Sequence, residues 1–370
     1  MKNTFKNSTI LITGGTGSWG QELTRQLLEK YGTKEIRIYS RGEHRQVEMR
    51  RKFQDIRIKY FIGDVRDKDR VRLASDGTDF VFHLAALKHV PVCEQNPWEA
   101  VQTNIIGIQN IIEAAIKNNV KKVIYVSSDK AVDPFNLYGV TKACGEKLII
   151  AANLLNHTKF VCFRAGNVTG TSGSVIPLFR EQILKLNAVT LTDKQMSRFF
   201  MRLRDVIGLL LRTAIDSIGG EVFVTKMPAC KIMDLAEVML KELGNRRSKI
   251  KIIGIRPGEK LYEVLVSRYE MPRTFELDDF FVILPQIKIE ETELFYKDRK
   301  NSLADMGEFN SNNAHLLSKR EMEKLLKKDG WLNLKYQNEV IGYLRSLKKK
   351  DLEKYFSSEG WTKNKIEKIH

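Results

Sequence analysis

Cysteine is scarce: Cys93, Cys144, Cys162 and Cys230 are the four in 370 residues, far apart and without a CxxC pair. That excludes a disulfide framework and a cysteine zinc site as organising devices, and no metal is expected. No apolar run approaches the roughly 18 residues that a membrane span needs. The start, MKNTFKNSTILITGG, lacks the apolar core of a signal peptide. A soluble, cytoplasmic chain without a membrane partner is the expectation. Acidic residues are the minority, 45 against 62 Lys and Arg, for a formal charge of +17. Such an excess suits a polyanion or an anionic small molecule. It is spread along the chain, with no aromatic-interleaved basic stripe, so nucleic acid is not expected as a partner.

What is present is a rhythm. STILITGG, EIRIYS, IKYFIGDV, DFVFHLAA, KVIYVSS and KFVCFRAGNV are short β-branched or aromatic runs, separated by amphipathic stretches. Strand, helix, strand, repeated, means a parallel sheet covered on both faces. The fold class is α/β, a Rossmann-like doubly wound sheet with a smaller C-terminal substrate-binding lobe. Residues 1–170 are expected to form the dinucleotide-binding domain with the catalytic residues. Residues 171–327 form mainly the second lobe, with some segments returning to the first. Residues 328–370 form a basic helical extension, with GW at Gly330–Trp331 and again at Gly360–Trp361.

TGGTGSWG, Thr13 to Gly20, follows the first strand and opens the first helix. Gly14, Gly17 and Gly20 allow a tight turn, a close backbone approach to a pyrophosphate, and helix N-terminal N–H groups aimed at it. Thr16, Ser18 and Trp19 lie in the same loop as candidate contacts. An acidic residue at the end of the second strand would bind a ribose 2′-hydroxyl and repel a 2′-phosphate. None stands there: Ser40 and Arg41, with Arg45 a turn later, supply donors and positive charge, which favours NADP over NAD. Asp64 and Val65 after the third strand are placed to meet an adenine. Ala85 and Ala86 after the fourth are small where backbone must pass close to a cofactor. Lys88 and His89 follow as candidate contacts, Lys88 with cofactor or substrate and His89 with substrate.

SSDKAVDPFNLYGVTK, residues 127 to 142, adds the chemistry. Tyr138 and Lys142 fall on one helix face, one turn apart. Asp129 and Lys130 add an acid and an amine that a simple redox reaction does not need, so a further proton transfer is implied. Ser127 at the strand end is another cofactor candidate.

The glycine loop, the HxAA stretch, Asn104 in TNIIG and Tyr138xxxLys142 together resemble the extended short-chain dehydrogenase/reductase superfamily. YSRGEHRQ, AALKHVPVCEQNP, SSDKAVDPFNLYGVTK, FRAGNVTGTSGSVIPLF, LTDKQMSRF and IRPGEKLYE look like the UDP-N-acetylglucosamine 4,6-dehydratases, over about residues 8 to 325. Retention of Tyr138 resembles the C5-inverting branch that begins pseudaminic acid synthesis. The resemblance implies Tyr138 as base toward a sugar hydroxyl, with Lys142 lowering its pKa, and Asn104 at the cofactor. It implies Lys130 as the base at C5 and Asp129 as the acid at the C6 oxygen. It also implies UDP-N-acetylglucosamine as substrate and a homo-oligomer such as a hexamer. Asn167, Arg198 and Arg256 are expected at the diphosphate, Ser174, Val175 and Thr192 at uracil, and Glu259 at the UDP ribose. The alternatives are a C5-retaining dehydratase, a UDP-sugar 4-epimerase, and a nonenzymatic NADP-sensing or polyanion-binding protein.

Overall fold

The computed structural model describes residues 4–155, 158–171, 174–255, 258–298, 303 and 306–333. It divides into two compact units. The first comprises Met1–Gly166, Leu203–Lys226 and Val264–Phe309; the second comprises Asn167–Arg202, Met227–Glu263 and Asn310–His370.

The first unit is built on a nine-stranded sheet. Its strands are β1 (Thr9–Thr13), β2 (Glu35–Ser40), β3 (Ile58–Ile62), β4 (Phe80–His83), β5 (Lys122–Ser128), β6 (Lys159–Ala165), β7 (Val222–Thr225), β8 (Thr274–Leu277) and β9 (Phe280–Ile283). Their spatial order is β8-β9-β7-β6-β5-β4-β1-β2-β3. The pairs from β3 across to β7 are parallel, while β9 runs antiparallel to both β7 and β8. Ile10, Leu11, Ile12, Val81, Phe82, Val123, Ile124, Val161 and Phe163 are at most 1% exposed. Such near-continuous apolar strands are what a sheet covered on both faces requires.

Strand order reverses between β1 and β4, which are neighbours though far apart in sequence. A doubly wound sheet opens a crevice at the carboxyl ends of its strands at such a switch point. The glycine loop after β1 and the AALK segment after β4 flank it. Two helices matter most in this unit: α1 (Ser18–Lys30), which begins at the glycine loop, and α2 (Leu137–Ala151), which carries Tyr138 and Lys142. Between β4 and β5, Pro97–Val101 and Gly107–Lys117 are helical, joined by a π-helical turn at Gln102–Ile106.

The second unit is smaller. It holds α3 (Val175–Leu186), α4 (Ile232–Leu243) and α5 (Lys319–Lys328), together with two two-stranded sheets, Ala188–Leu191 with Lys249–Ile252 and Ser197–Phe199 with Ala229–Lys231. Ile176, Phe179, Leu235, Met239, Met322 and Leu326 make its core. The segment 328–333, expected as the start of an appendage, is folded into this unit, with Leu332 buried in the core and Trp331 packed against it. The rest of the expected extension, including Gly360–Trp361, lies outside the described residues.

Candidate active site

Three glycines of the first loop are fixed by sterics. Gly14 has φ +66°, and a Cβ on it would stand 2.9 Å from the Ala85 backbone nitrogen. The loop after β1 and the loop after β4 therefore touch through backbone, which Ala85 and Ala86 permit. Gly17 caps α1, and a Cβ on Gly20 would stand 2.3 Å from the Gly15 carbonyl oxygen, so the helix start is drawn onto the turn. Thr16 is buried; Ser18 and Trp19 open α1, and the Trp19 indole meets Phe163 edge-on at 6.3 Å. This cradle fits a dinucleotide pyrophosphate.

The strand ends beside it are held from below. Ser40 Oγ accepts from Gln46 at 3.0 Å. Arg41 is exposed, with Nη1 3.7 Å from Asp64 Oδ2, and Arg45 is exposed a turn later. Asp64 also takes the fork of Arg66, and Asn110 donates to the carbonyls of Val65 and Arg66. Asn104, expected at the cofactor, sits in the π-helical turn and uses its amide inside the fold. Its Oδ1 accepts from the Leu87 N–H, while Nδ2 donates to the Leu87 carbonyl and to Thr141 Oγ1. It ties the AALK loop to α2 and acts on the site through that loop.

The end of β5 gathers the acid–base groups. Ser128 Oγ donates to Asp129 Oδ1 at 2.7 Å, and Lys130 Nζ donates to the same oxygen at 3.1 Å. Asp129 is 1% exposed, and its Oδ2 is buried without a partner, as is Ser127 Oγ. Orphaned buried acceptors and hydroxyls are costly, so their presence here points to a ligand. The Ser128 hydroxyl also acts on Tyr138, opposing the rise of its pKa. Ser128, Asp129, Lys130 and Tyr138 thus form one cluster. Lys88 and His89 lie on the neighbouring loop, and partial desolvation of the Lys88 amine, then Lys130, lowers its pKa.

Burial pushes Tyr138 up to about 12, opposed first by Lys130 and then by the Ser128 hydroxyl. The Lys142 amine donates to the Val126 carbonyl at 2.6 Å and lies 4.0 Å from the Tyr125 ring centroid. Burial brings Lys142 itself down to about 7, against the pull of Glu146.

In the second unit, Asn167 Oδ1 and Ser174 Oγ are both buried without partners, and Ser174 precedes Val175 at the start of α3. Thr192 Oγ1 donates to Met196 Sδ. Glu259 is half-buried. Arg198, expected to present its fork to a diphosphate, turns it inward: Nη1 donates to the carbonyls of Ser197 and Leu261, Nη2 to that of Lys260, and Nε faces Glu263 at 3.6 Å. Arg256 lies outside the described residues.

The family model for polysaccharide biosynthesis proteins matches residues 10–285. A UDP-N-acetylglucosamine 4,6-dehydratase (inverting) of Campylobacter jejuni is 44% identical over 308 residues, which cover 82% of this chain and 90% of that protein. A UDP-glucose 4-epimerase of Rickettsia canadensis is 40% identical over 341 residues, 90% of this chain and 98% of its own. The solved structure of Pen from Bacillus thuringiensis gives a TM-score of 0.80 at 42% identity, covering 88% of this chain and 99% of that one. The chain belongs to the inverting UDP-N-acetylglucosamine 4,6-dehydratase family, within the extended short-chain dehydrogenase/reductases.

Two site residues of this family member escaped the sequence reading. Ser128 was passed over for Ser127, because neighbouring serines at a strand end cannot be told apart until the strand's facing is known. His83 lay in the HxAA stretch already singled out. Its Nδ1 is 2.7 Å from Thr13 Oγ1, its ring stacks on Tyr125, and burial followed by Lys142 lowers it to about 3, so it is neutral. Its Nε2 is also buried without a partner.

Below Lys142 lies a buried ion cluster. All five N–H donors of Arg164 are engaged: by both oxygens of Glu146, both oxygens of Glu270, and the Leu265 carbonyl. Nothing in the local sequence pattern joins these positions.

Proposed function

We propose that this protein is an NADP-dependent UDP-N-acetylglucosamine 4,6-dehydratase that inverts C5. The observation that carries the reading is the bonded Asp129–Lys130 pair, with Ser128 on the same carboxylate oxygen and Lys130 acting on Tyr138. The 44% identity to dehydratases over most of the chain supports it.

The proposed cycle asks three things of the chain. Tyr138 takes the proton of the C4 hydroxyl as that carbon is oxidised. The resulting C4 ketone acidifies the C5 proton, which the amine of Lys130 removes. Asp129 delivers a proton to the departing C6 oxygen, which leaves as water. A bound nicotinamide cofactor supplies the redox chemistry, taking hydride from C4 and returning it to C6, so no external reductant is consumed. Return of a proton to C5 from the opposite face gives the inverted 4-keto-6-deoxy sugar.

The pairing explains how one residue can be the base and its neighbour the acid. Lys130 Nζ and Asp129 Oδ1 are 3.1 Å apart, so one proton interconverts ammonium–carboxylate with amine–carboxylic acid. Elimination consumes the neutral form, taking a proton on nitrogen and giving one from oxygen, and leaves the ion pair. One further proton shift restores the starting state.

Gly14, Gly17, Gly20 and the unpartnered Ser127 Oγ fit a dinucleotide, and the absence of an acid at the end of β2, with Ser40, Arg41 and Arg45 there, supports NADP. Asn167 and Ser174, with buried unpartnered oxygens, are the proposed UDP contacts in the second unit. Incubation with UDP-N-acetylglucosamine in deuterated water, followed by NMR, tests the whole reading. A 6-deoxy-4-keto product with deuterium at an inverted C5 is expected, a first step toward pseudaminic acid-type sugars. A retained C5 would replace the inverting by the retaining reaction.

A second reading, UDP-sugar 4-epimerase, is favoured by relatives of that name at 40% identity. It uses Tyr138 and Lys142 but leaves Asp129 and Lys130 without a task. A C4-epimer with its C6 hydroxyl intact in the same experiment would establish it.

A further inference from the structure

We propose that the turn Asp329–Trp331 is a positioning device that holds residues 167–171 in the conformation that binds UDP. The proposal rests on the assignment of Asn167 and Ser174 to the nucleotide, and goes beyond it by giving the C-terminal GW turn a task in substrate affinity.

The end of α5 sets the turn. Gly330 has φ +77°, its N–H donates to the Lys327 carbonyl, and the N–H of Trp331 donates to the Leu326 carbonyl. These two bonds past a left-handed glycine are a Schellman motif, which fixes the direction of the residue that follows the glycine. Trp331 is thereby laid on Gly170. A Cβ on Gly170, at φ +71°, would stand 2.4 Å from Cζ2 of the indole, so only glycine admits the ring. Asp329 closes the other side of the loop: Oδ2 accepts from Thr169 Oγ1 at 3.1 Å, and Oδ1 accepts from Arg202 Nε at 2.6 Å. The loop is also bonded through backbone, Thr169 to Met201 and Met201 to Asn167. Asn167, with its buried unpartnered Oδ1, therefore sits at one end of a segment clamped by a carboxylate, an indole and a strand-like bridge. Met322, Leu326 and Leu332 anchor the turn itself in the core.

The test uses the full chain and three variants: Trp331→Ala, Trp331→Phe and Asp329→Asn. Calorimetric titration with UDP and steady-state kinetics with UDP-N-acetylglucosamine are read together with amide exchange at Thr169–Thr171. Trp331→Ala and Asp329→Asn should raise the Kd for UDP and the KM about 10- to 100-fold, the scale set by small misplacement of binding groups. In both, kcat and NADP affinity should be nearly unchanged and exchange at 169–171 faster. Trp331→Phe should restore most of the affinity, because a flat ring still covers Gly170. Wild-type UDP affinity in folded Trp331→Ala and Asp329→Asn proteins would overturn the proposal. A wild-type chain that takes up no UDP would instead overturn the nucleotide assignment beneath it. A kcat that falls with KM unchanged would also overturn it, since a loop acting only on binding does not do that.

Discussion

Replacing Lys130 with alanine separates oxidation from elimination within one site. The structure shows what else the change disturbs. The variant leaves the Asp129 carboxylate 1% exposed, with Ser128 still on Oδ1 but the ammonium gone. Removing one partner of a buried pair costs about 3–5 kcal/mol. The Lys130 side chain is 26% exposed, so about 1–3 kcal/mol is expected here. That lowers the melting temperature by roughly 1–2 °C per kcal/mol in a chain of 370 residues, which leaves the protein folded for assay. The catalytic loss is larger, about 10²–10⁴-fold for a missing general base, or ~3–5 kcal/mol of barrier. With Tyr138 and Lys142 intact, mixing with UDP-N-acetylglucosamine should still give a transient NADPH absorbance while the 6-deoxy product fails to accumulate. Lys130 is also the nearby charge that opposes the upward shift of Tyr138. Its loss should move the acid limb of the oxidation step to higher pH, a displacement that Tyr138→Phe cannot show because it abolishes the absorbance change. Normal turnover, or failure to reduce the cofactor at any pH, would sink the assignment of Lys130 as the C5 base.

Arg41→Ala should weaken NADP at the lower end of the roughly 1.5–3 kcal/mol range for hydrogen bonds to charged groups, because the side chain is 57% exposed, while NAD is little affected; equal calorimetric losses for both would remove its 2′-phosphate role. Gly14→Ala forces a methyl to 2.9 Å from the Ala85 nitrogen at φ +66°, adding about 1–2 kcal/mol of left-handed strain. Dinucleotide binding should fall while UDP binding persists, and an unchanged dinucleotide affinity would count against the cradle. Glu270 is pushed up by burial but held down at about 2 by Arg164, against an ordinary 4.5. The unfolded chain therefore takes up that proton first as pH falls, so the stabilisation is present above about 4.5 and is lost toward about 2. Melting temperature should drop less steeply across that window in Glu270→Gln, and parallel slopes would show that the cluster contributes nothing to acid stability.

The parallel sheet was legible because its strands are short apolar runs with turn residues between them, and the glycine loop because it follows one such run and opens a helix. The cluster at SSDK was legible as composition within sixteen residues, but its internal bonding was not. Which serine faces Tyr138 depends on the twist and facing at the end of β5. Where the Lys142 amine goes, to the Val126 carbonyl, likewise depends on how α2 packs on β5. The surroundings of Arg198 were not legible either: three carbonyls and Glu263 meet its guanidinium in the second unit, and no local pattern announces them. The strands at the far edge of the sheet, β8 and β9, return from beyond residue 270, a distance over which periodicity carries no pairing information. The GW turn at 330 was read as part of a tail because its own segment is polar and lysine-rich. What draws it inward is Gly170, more than 150 positions earlier.

The buried charges around α2 fit a single electrostatic requirement. Tyr138, Lys142 and Glu146 are spaced by four and form one polar stripe on that helix, at 9%, 4% and 6% exposure. A lysine so enclosed loses its proton readily, and burial has already brought Lys142 to about 7. Glu146 is the group that resists further loss, and Glu146 is itself held by Arg164. Arg164 in turn is shared with Glu270, so that two carboxylates flank its buried guanidinium, with Arg273 acting on the same pair. Compensation of this kind is what permits ionised groups in an interior. The same accounting holds at the surface end of the site, where Lys130 balances Asp129. Arg164 touches none of the reacting groups proposed here, yet it anchors the helix end opposite Tyr138 and holds the carboxylate that sets the charge of Lys142. The chemistry proposed for SSDK and Tyr138xxxLys142 thus depends on an ion cluster whose members lie on α2, on β6 and beyond β7, which is why a whole doubly wound sheet is needed to run a reaction carried by four side chains.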